Sequence, residues 1–180
     1  METCDLVARD YARALRSGSA PKIFDELQKG VNINQQSPYT AMDVFISRGY
    51  IKGISAVLVN PEWNPNVKGA DGLFLIERAM LKNEKLALRI MEHPRFNINQ
   101  RVSMGRTLAM SAVMLSAPAV FQAVSAYTKP TDKDARGCTL SQYLEEYGKP
   151  VQGRLAKIHK SITDYRKMLL DKQNEGLFHY

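Results

Sequence analysis

Apolar residues recur along the chain in short helical stripes, and polar turns separate these stripes at nearly constant intervals. The clearest stretch runs from Pro38 to Asn66, where one apolar helical segment ends at Gly49 and a second follows before the next polar turn. Shifted copies of this stretch lie before and after it. A period near 33 residues with two short helices per unit is typical of stacked-repeat proteins. We therefore predict an all-α fold in which each unit buries its apolar face against the next.

Turns, helix starts and breaks mark this period. The turns place polar residues on both sides of a spacer, at Asn32–Asn34, Asn64–Asn66, Asn97–Asn99 and Asp132–Asp134. Asparagine suits such turns because it tolerates left-handed φ and bonds its own main chain. Predicted helix starts follow at Thr40, Leu73, Thr107 and Thr139, and a threonine hydroxyl there can accept an unpaired main-chain N–H. The predicted breaks between paired helices are Gly18, Gly49, Asn83, Ser116–Ala117 and Gly148.

The turns and helix starts resemble those of the ankyrin repeats. Gly30–Asn34 is similar to the end-of-repeat sequence of that family, and Tyr39–Asp43 is similar to its helix opener. Ala79 and Ala112 stand where the family packs a small residue between helices. The family's Thr-Pro-Leu-His tetrapeptide is never intact, and Phe74 takes the place of its threonine in the third unit. The resemblance implies a curved, non-catalytic α-solenoid that binds proteins.

We predict an ankyrin-like repeat domain over residues 1–160 and a C-terminal helical extension over residues 161–180. The repeat domain divides into five helix-turn-helix units: 4–34, 35–66, 67–99, 100–134 and 135–160. Near the C-terminus, apolar positions follow helical spacing and basic residues lie largely off that stripe. Such a helix either caps the exposed face of the last repeat or contacts an anionic partner, and we favour the cap.

Charge and composition indicate which partners and which cellular location to expect. The formal charge is +7, and the segment 149–172 alone holds seven basic and two acidic residues. This excess favours acidic partners or nucleic acid. No run approaches the roughly 18 apolar residues of a membrane helix, and the acidic start predicts no signal peptide. Cys4 and Cys138 lie far apart in a linear array, so we expect no disulfide and a reducing, cytoplasmic location.

The sequence contains few arrangements that support catalysis. It has neither GxGxxG nor GxxxxGK[ST], no nucleophile elbow and no cluster with metal-ligand spacing. We therefore predict a protein that is not an enzyme and needs no cofactor. His93 is better explained as a helix-ending residue than as a metal ligand. Trp63 is either a binding anchor or a core residue packed under its own turn, and we favour the core.

The resemblance implies where a partner would bind, because in the family the turn tips and first helices line the concave surface. Carried over by position, this set consists of basic, aromatic and methionine side chains: Tyr39, Arg48, Arg78, Lys82, Arg106, Met114, Arg136, Tyr143 and Tyr147. Arginine and tyrosine anchor interfaces through bidentate hydrogen bonds and rigid aromatic area. Five of the nine are cationic, so we expect the partner to present an acidic surface.

Two functions follow from these observations. The first, which we prefer, is a protein-binding adaptor or inhibitor that acts through the concave face. Degenerate stand-alone arrays resemble those of bacterial effectors and viral host-interaction proteins, so we expect a pathogen or phage protein, located in the host cytoplasm if it is secreted. The second is a nucleic-acid or anionic-surface binder that acts through the basic C-terminal helix.

Overall fold

The structure, a computed structural model, describes residues 2–69 and 71–147, with the main chain alone for residues 2–6. Every regular element in these ranges is helical, which confirms an all-α fold for this part of the chain. The helices are α1 (Glu2–Ser17), α2 (Ala20–Gln28), α3 (Ala41–Arg48), α4 (Ile51–Leu58), α5 (Leu75–Lys82), α6 (Glu84–Met91), α7 (Leu108–Met114), α8 (Pro118–Val124) and α9 (Leu140–Tyr147). The predicted break at Gly148 and the C-terminal extension lie outside the described residues.

The described part of the chain forms two compact units, of which the first ends at Asn97 and the second begins at Ile98. In the first unit, α1 packs on α2, α3 on α4 and α5 on α6, and the pairs join through α2 with α3 and α3 with α5. In the second unit, α7 packs on α8 and on α9. Helices of seven to nine residues are too short to be stable alone, so this packing is what stabilises them. The division of the repeat domain into five units remains a prediction.

Local capping fixes where the helices begin and end. Thr40 and Thr107 accept the main-chain N–H three residues on, at 3.2 and 3.3 Å, which confirms both predicted helix starts. The α3 helix also has a complete capping box, because the Asp43 carboxylate accepts the Thr40 N–H at 3.0 Å. Gly49 ends α3 at φ +64°, a left-handed conformation that favours glycine. The predicted breaks at Gly18, Gly49, Asn83 and Ser116–Ala117 all lie between paired helices.

Asparagines join consecutive turns of the first unit. Asn34 and Asn66 each make two side-chain hydrogen bonds to the following turn. The amide nitrogen donates to a carbonyl oxygen of that turn, and the amide oxygen accepts the main-chain N–H of the residue two positions after that carbonyl. These partners are Glu62 O and Asn64 N for Asn34, at 2.8 and 2.7 Å, and Arg95 O and Asn97 N for Asn66, at 2.7 and 2.8 Å. The sequence pattern predicted only the local part of this arrangement, in which an asparagine bonds its own turn.

The local part is a hydrogen bond within each turn. Asn32 and Asn64 accept the N–H two residues on, at 2.9 and 3.0 Å, as expected. Among the described residues, Met104 and Ser116 are the only non-glycines with positive φ. The asparagines therefore do not use the left-handed φ that they tolerate, and they contribute to these turns through the hydrogen bond.

Trp63 belongs to the core of the first unit. Its side chain is buried, and its ring lies edge-on to His93 with ring centres 5.2 Å apart. His93 follows the end of α6, and its Nε2 bonds the Asn60 carbonyl oxygen at 3.1 Å. This packing confirms the preferred interpretation of Trp63. It also gives His93 a structural role at the predicted helix end.

Candidate partner-binding surface

Tyr39 and Arg78 lie together at the turn edge of the first unit. The Arg78 guanidinium carbon lies 5.5 Å from the centre of the Tyr39 ring. The same guanidinium bonds the Asp71 carboxylate, and its Nε lies 3.3 Å from Asp43 Oδ1. That second contact lacks the alignment of a hydrogen bond and acts through charge alone. Because two carboxylates already neutralise Arg78, it adds little positive potential for a partner.

Arg106 is buried inside the second unit, contrary to the expectation of an open cationic surface. Only 7 % of the residue is exposed, and its guanidinium donates from Nε to Ser111 Oγ at 3.0 Å. Nη1 contacts the Met114 sulfur at 3.3 Å, and Met114 itself is half-buried. A buried guanidinium must be hydrogen-bonded to be tolerated, and these bonds meet part of that need. Substitution of Arg106 would therefore disturb folding, and that effect would obscure any effect on binding.

Arg136, Tyr143 and Tyr147 form a polar and aromatic cluster around Asp134. The Asp134 side chain is fully buried and accepts four hydrogen bonds. They come from Arg136 N at 2.9 Å, Cys138 N at 2.8 Å, Arg136 Nε at 3.3 Å and Tyr143 Oη at 2.8 Å. Burial raises the pKa of Asp134, but these hydrogen bonds outweigh it and lower the pKa to about 2.

Three of the predicted partner-binding residues lie in this cluster, and packing covers at least part of each side chain. Tyr143 is buried, and burial together with its bond to Asp134 raises the pKa of its hydroxyl. Tyr147 is half-buried and stacks on Tyr143, with ring centres 5.6 Å apart. The Arg136 side chain is about half exposed and donates from Nη2 to the Tyr143 hydroxyl at 3.1 Å. The cluster therefore fixes the turn before α9, and its binding role remains a prediction.

Arg48 and Lys82, the remaining predicted residues, lie on one groove of the first unit. Both are exposed and occupy the last turns of α3 and α5. The groove has a volume of about 540 Å³, within the range of ligand sites. Its α4 wall presents side chains at helical spacing: Ile51, Ile54, Ser55 and Leu58. Its α6 wall presents Lys85, Leu86 and Arg89. We call this feature the basic groove.

The basic groove combines an apolar interior with a cationic rim. Four of its lining residues are basic, and none of the described residues that line it is acidic: the cations are Arg48, Lys82, Lys85 and Arg89. Arg89 pairs with Glu92 outside the lining, at 3.3 Å between Nε and Oε2. No carboxylate of the described part of the chain forms an ion pair with the other three. The groove thus offers unneutralised positive charge beside apolar area.

Sequence reasoning missed the α6 contribution to this groove and the exposure of Ile51. Ile51 is 69 % exposed, although it shares helical spacing with the buried Ile54. The reason is that α4 carries apolar residues on two faces, and Gly53, Ile54 and Val57 are its buried residues. The sequence did carry a signal for this exposed apolar face. The α4 helix has more apolar positions than one buried face can hold, and Lys52 is its one charged residue.

A second cavity, of about 360 Å³, lies in the second unit between the turns at residues 98–101 and 127–132. Gln100, which is 9 % exposed, lines it, and both polar atoms of its amide are buried without a hydrogen-bond partner. Arg101 bonds Asp132 at 2.6 Å beside it, and Lys129 adds a further charge to the lining. A small neutral polar group suits such a cavity better than a protein segment, so the basic groove is the stronger candidate for a partner.

The described residues offer neither a metal-binding cluster nor a helix suited to crossing a membrane. They contain no group of three or more His, Cys, Asp or Glu side chains arranged to hold a metal ion. Across the same residues, no helix has both the length and the apolar character that crossing a membrane requires. Cys138 is a half-buried free thiol, whereas the side chain of Cys4 and the histidines His159 and His179 lie outside the described residues.

Comparison with known proteins identifies a similar fold. No family model and no curated protein matches the chain. Among solved structures, a chain in the complex of the Bd0816 predatory endopeptidase from Bdellovibrio bacteriovorus with the immunity protein Bd3460 is similar to this one. The TM-score is 0.60 at 19 % sequence identity, and the match covers 86 % of this chain and 79 % of the other. At this identity the likeness concerns the fold alone.

Proposed function

We propose that this protein is a non-catalytic binding protein that acts as an inhibitor or adaptor of another protein. The observation that carries the proposal is the basic groove, in which exposed Ile51 lies beside the unpaired cations Arg48, Lys82 and Lys85. Exposed apolar area rimmed by charge is typical of a protein-interaction site. The partner then has an acidic surface, because like charges across an interface oppose binding.

The fold neighbour supports the same class of function. It is a chain in a complex of an endopeptidase with an immunity protein, and it therefore takes part in the binding of one protein by another. We further propose that the helix pairs are degenerate ankyrin-like repeats. The capped helix starts at Thr40 and Thr107 and the bonded turns at Asn34 and Asn66 support this proposal. A role of the protein in a host cell remains a prediction.

Affinity capture tests the proposed function. The immobilised full-length protein is incubated with lysate of its native cell, and with host lysate, each with and without nuclease treatment, at 50 and 200 mM salt. We expect one discrete protein to be retained after nuclease and its activity to fall when the captor is added in excess. If nucleic acid alone is recovered, and 200 mM salt releases it, the proposal is wrong and the basic C-terminal segment becomes the binding element.

A further inference from the structure

We propose that the basic groove receives an acidic amphipathic helix of the partner protein; this inference rests on the proposed function and names the chemistry of its partner. The groove lies between α4 and α6, the second helices of two consecutive pairs. A channel between two helices is a common receptor for a third helix, which inserts apolar residues at positions i, i+3, i+4 and i+7.

The apolar floor determines one face of the occupant. Ile51, Ile54 and Leu58 lie on one side of α4, at intervals of three and four positions; Ile54 is buried, so exposed Ile51 and half-buried Leu58 supply the accessible apolar area. Leu86 faces the groove from the opposite wall. Since 69 % of Ile51 is exposed, its apolar surface gains from being covered. A strand or an extended acidic tail would cover this row less completely than a helix with a matching stripe.

The rim determines the charge of the occupant. Lys82 stands at one end of the groove, and Lys85 and Arg89 stand one turn apart along α6. Arg48 lines the same end, but its guanidinium reaches Gly18 of the preceding helix pair. Carboxylates on both flanks of an inserted helix would meet these cations. The cations also have a purely intramolecular explanation, because positive side chains in a last turn stabilise the helix dipole. That explanation applies to Arg48, Lys82 and Arg89 but not to Lys85, which lies in the first turn of α6, where a cation is unfavourable.

Nucleic acid is the other polyanion that a cationic rim attracts. Phosphate contacts need charge alone, and they leave the apolar row of Ile51 and Leu58 without a partner. A protein helix satisfies both the row and the rim. The observations therefore favour a protein segment, and the test includes nucleic acid as an outcome.

Synthetic probes test this inference while the partner itself is still unidentified. The probe is a fluorescent 16-residue peptide with leucines at i, i+3, i+4 and i+7, glutamates on the two flanks of that stripe and alanines elsewhere to support the helix, and fluorescence anisotropy gives its Kd for the full-length protein. Controls are the same composition scrambled so that the leucines share no face, and a 20-nucleotide oligothymidine. We expect the designed peptide to bind at least tenfold more tightly than the scrambled peptide.

Charge reversal locates the binding to the groove. We expect Lys82→Glu with Lys85→Glu to weaken binding at least tenfold, because both side chains are exposed rim cations. The matched control is Arg9→Glu with Lys22→Glu, which makes the same change in net charge at exposed positions outside the groove and should stay within twofold. Ile51→Ser keeps the charge and should weaken binding at least threefold, since it removes exposed apolar area.

Each contrary outcome overturns the inference. These outcomes are the absence of peptide binding, equal binding of the scrambled peptide, equal loss in both charge-reversed variants, and tighter binding of the oligonucleotide. The proposed function fails separately. If affinity capture yields a protein that the Lys82→Glu, Lys85→Glu variant retains as well as the wild type does, the inference is wrong and the proposed function stands.

Discussion

The buried carboxylate of Asp134 should stabilise the second unit in a way that depends on pH. The perturbation is Asp134→Asn, which preserves size and removes the charge. The amide oxygen can keep the two main-chain bonds from Arg136 and Cys138. The amide nitrogen then faces Arg136 Nε, a donor, across the 3.3 Å contact, while the Tyr143 hydroxyl can rotate to accept.

The hydrogen bonds of Asp134 set how much stability the Asp134→Asn variant should lose. A hydrogen bond to a charged group contributes about 1.5–3 kcal/mol, and Asp134 loses one such bond outright and the charge assistance of the others. The lowered pKa, which arises from the same hydrogen bonds, corresponds to a loss of the same order, roughly 2.5 kcal/mol at about 1.4 kcal/mol per pKa unit. Arg136 is half exposed, and solvent screens its share. We expect Asp134→Asn to lower the free energy of unfolding by about 2 kcal/mol at pH 7.

The sign of the pH dependence follows from the lowered pKa. A carboxyl whose pKa falls from 3.8 when unfolded to about 2 when folded stabilises the folded state above pH 3.8. That contribution disappears as the pH falls through the folded pKa. The difference between wild type and variant should therefore be constant from pH 5 to 7 and shrink steadily between pH 4 and 2.

Urea unfolding followed by far-UV circular dichroism measures this difference. With slopes of about 2 kcal/mol per molar urea, the midpoint should fall by about 1 M at pH 7. Glu145→Gln is the control, because it removes the same charge from an exposed position of α9. The reasoning is refuted if the two variants behave alike, or if the Asp134→Asn deficit is as large near pH 2 as at pH 7.

Three further substitutions test the packing and bonding of the first unit. Gly53→Ala should destabilise it by about 1–3 kcal/mol in urea titrations despite better helix propensity, because a Cβ there would lie 2.6 Å from the buried Phe45 ring. Ser55→Ala, on the exposed face of the same helix, should change stability by less than about 0.5 kcal/mol, and an equal effect of the two substitutions would contradict the steric argument. Asn66→Ala should cost about 1–2 kcal/mol by the same method, since it removes two bonds between turns, and an unchanged urea midpoint would count against that link. Tyr11→Phe should raise thermal stability by about 1 kcal/mol, because the buried Tyr11 hydroxyl lacks a hydrogen-bond partner and burial raises its pKa; a lower melting temperature would disprove this.

Features of the fold that depend on neighbouring residues were predictable from the sequence. A helix start needs a side chain within three residues, so Thr40 and Thr107 marked the starts of α3 and α7. The reversal at Gly49 depends on one residue's φ. The links made by Asn34 and Asn66 were not predictable, because their partners lie 28 to 31 residues away and depend on how the turns stack.

The binding surface was less predictable, because residue type alone does not determine surroundings. An arginine predicts positive charge, but Arg106 is buried among polar partners and Arg78 is held between carboxylates. Arg48 and Lys82 remain exposed because they end their helices beside a groove. Lys85 completes that groove from the next helix, a contribution that only the packing of consecutive pairs reveals.

The most direct test of the proposed function and its surface is the affinity of the captured partner for three proteins, measured by isothermal titration calorimetry. These are the wild type, the Lys82→Glu, Lys85→Glu variant and the Arg9→Glu, Lys22→Glu control. We predict at least a tenfold loss of affinity for the first variant, about 1.4 kcal/mol, and a change within twofold for the control. Equal affinity of all three proteins would show that the partner binds elsewhere and would contradict the assignment of the basic groove.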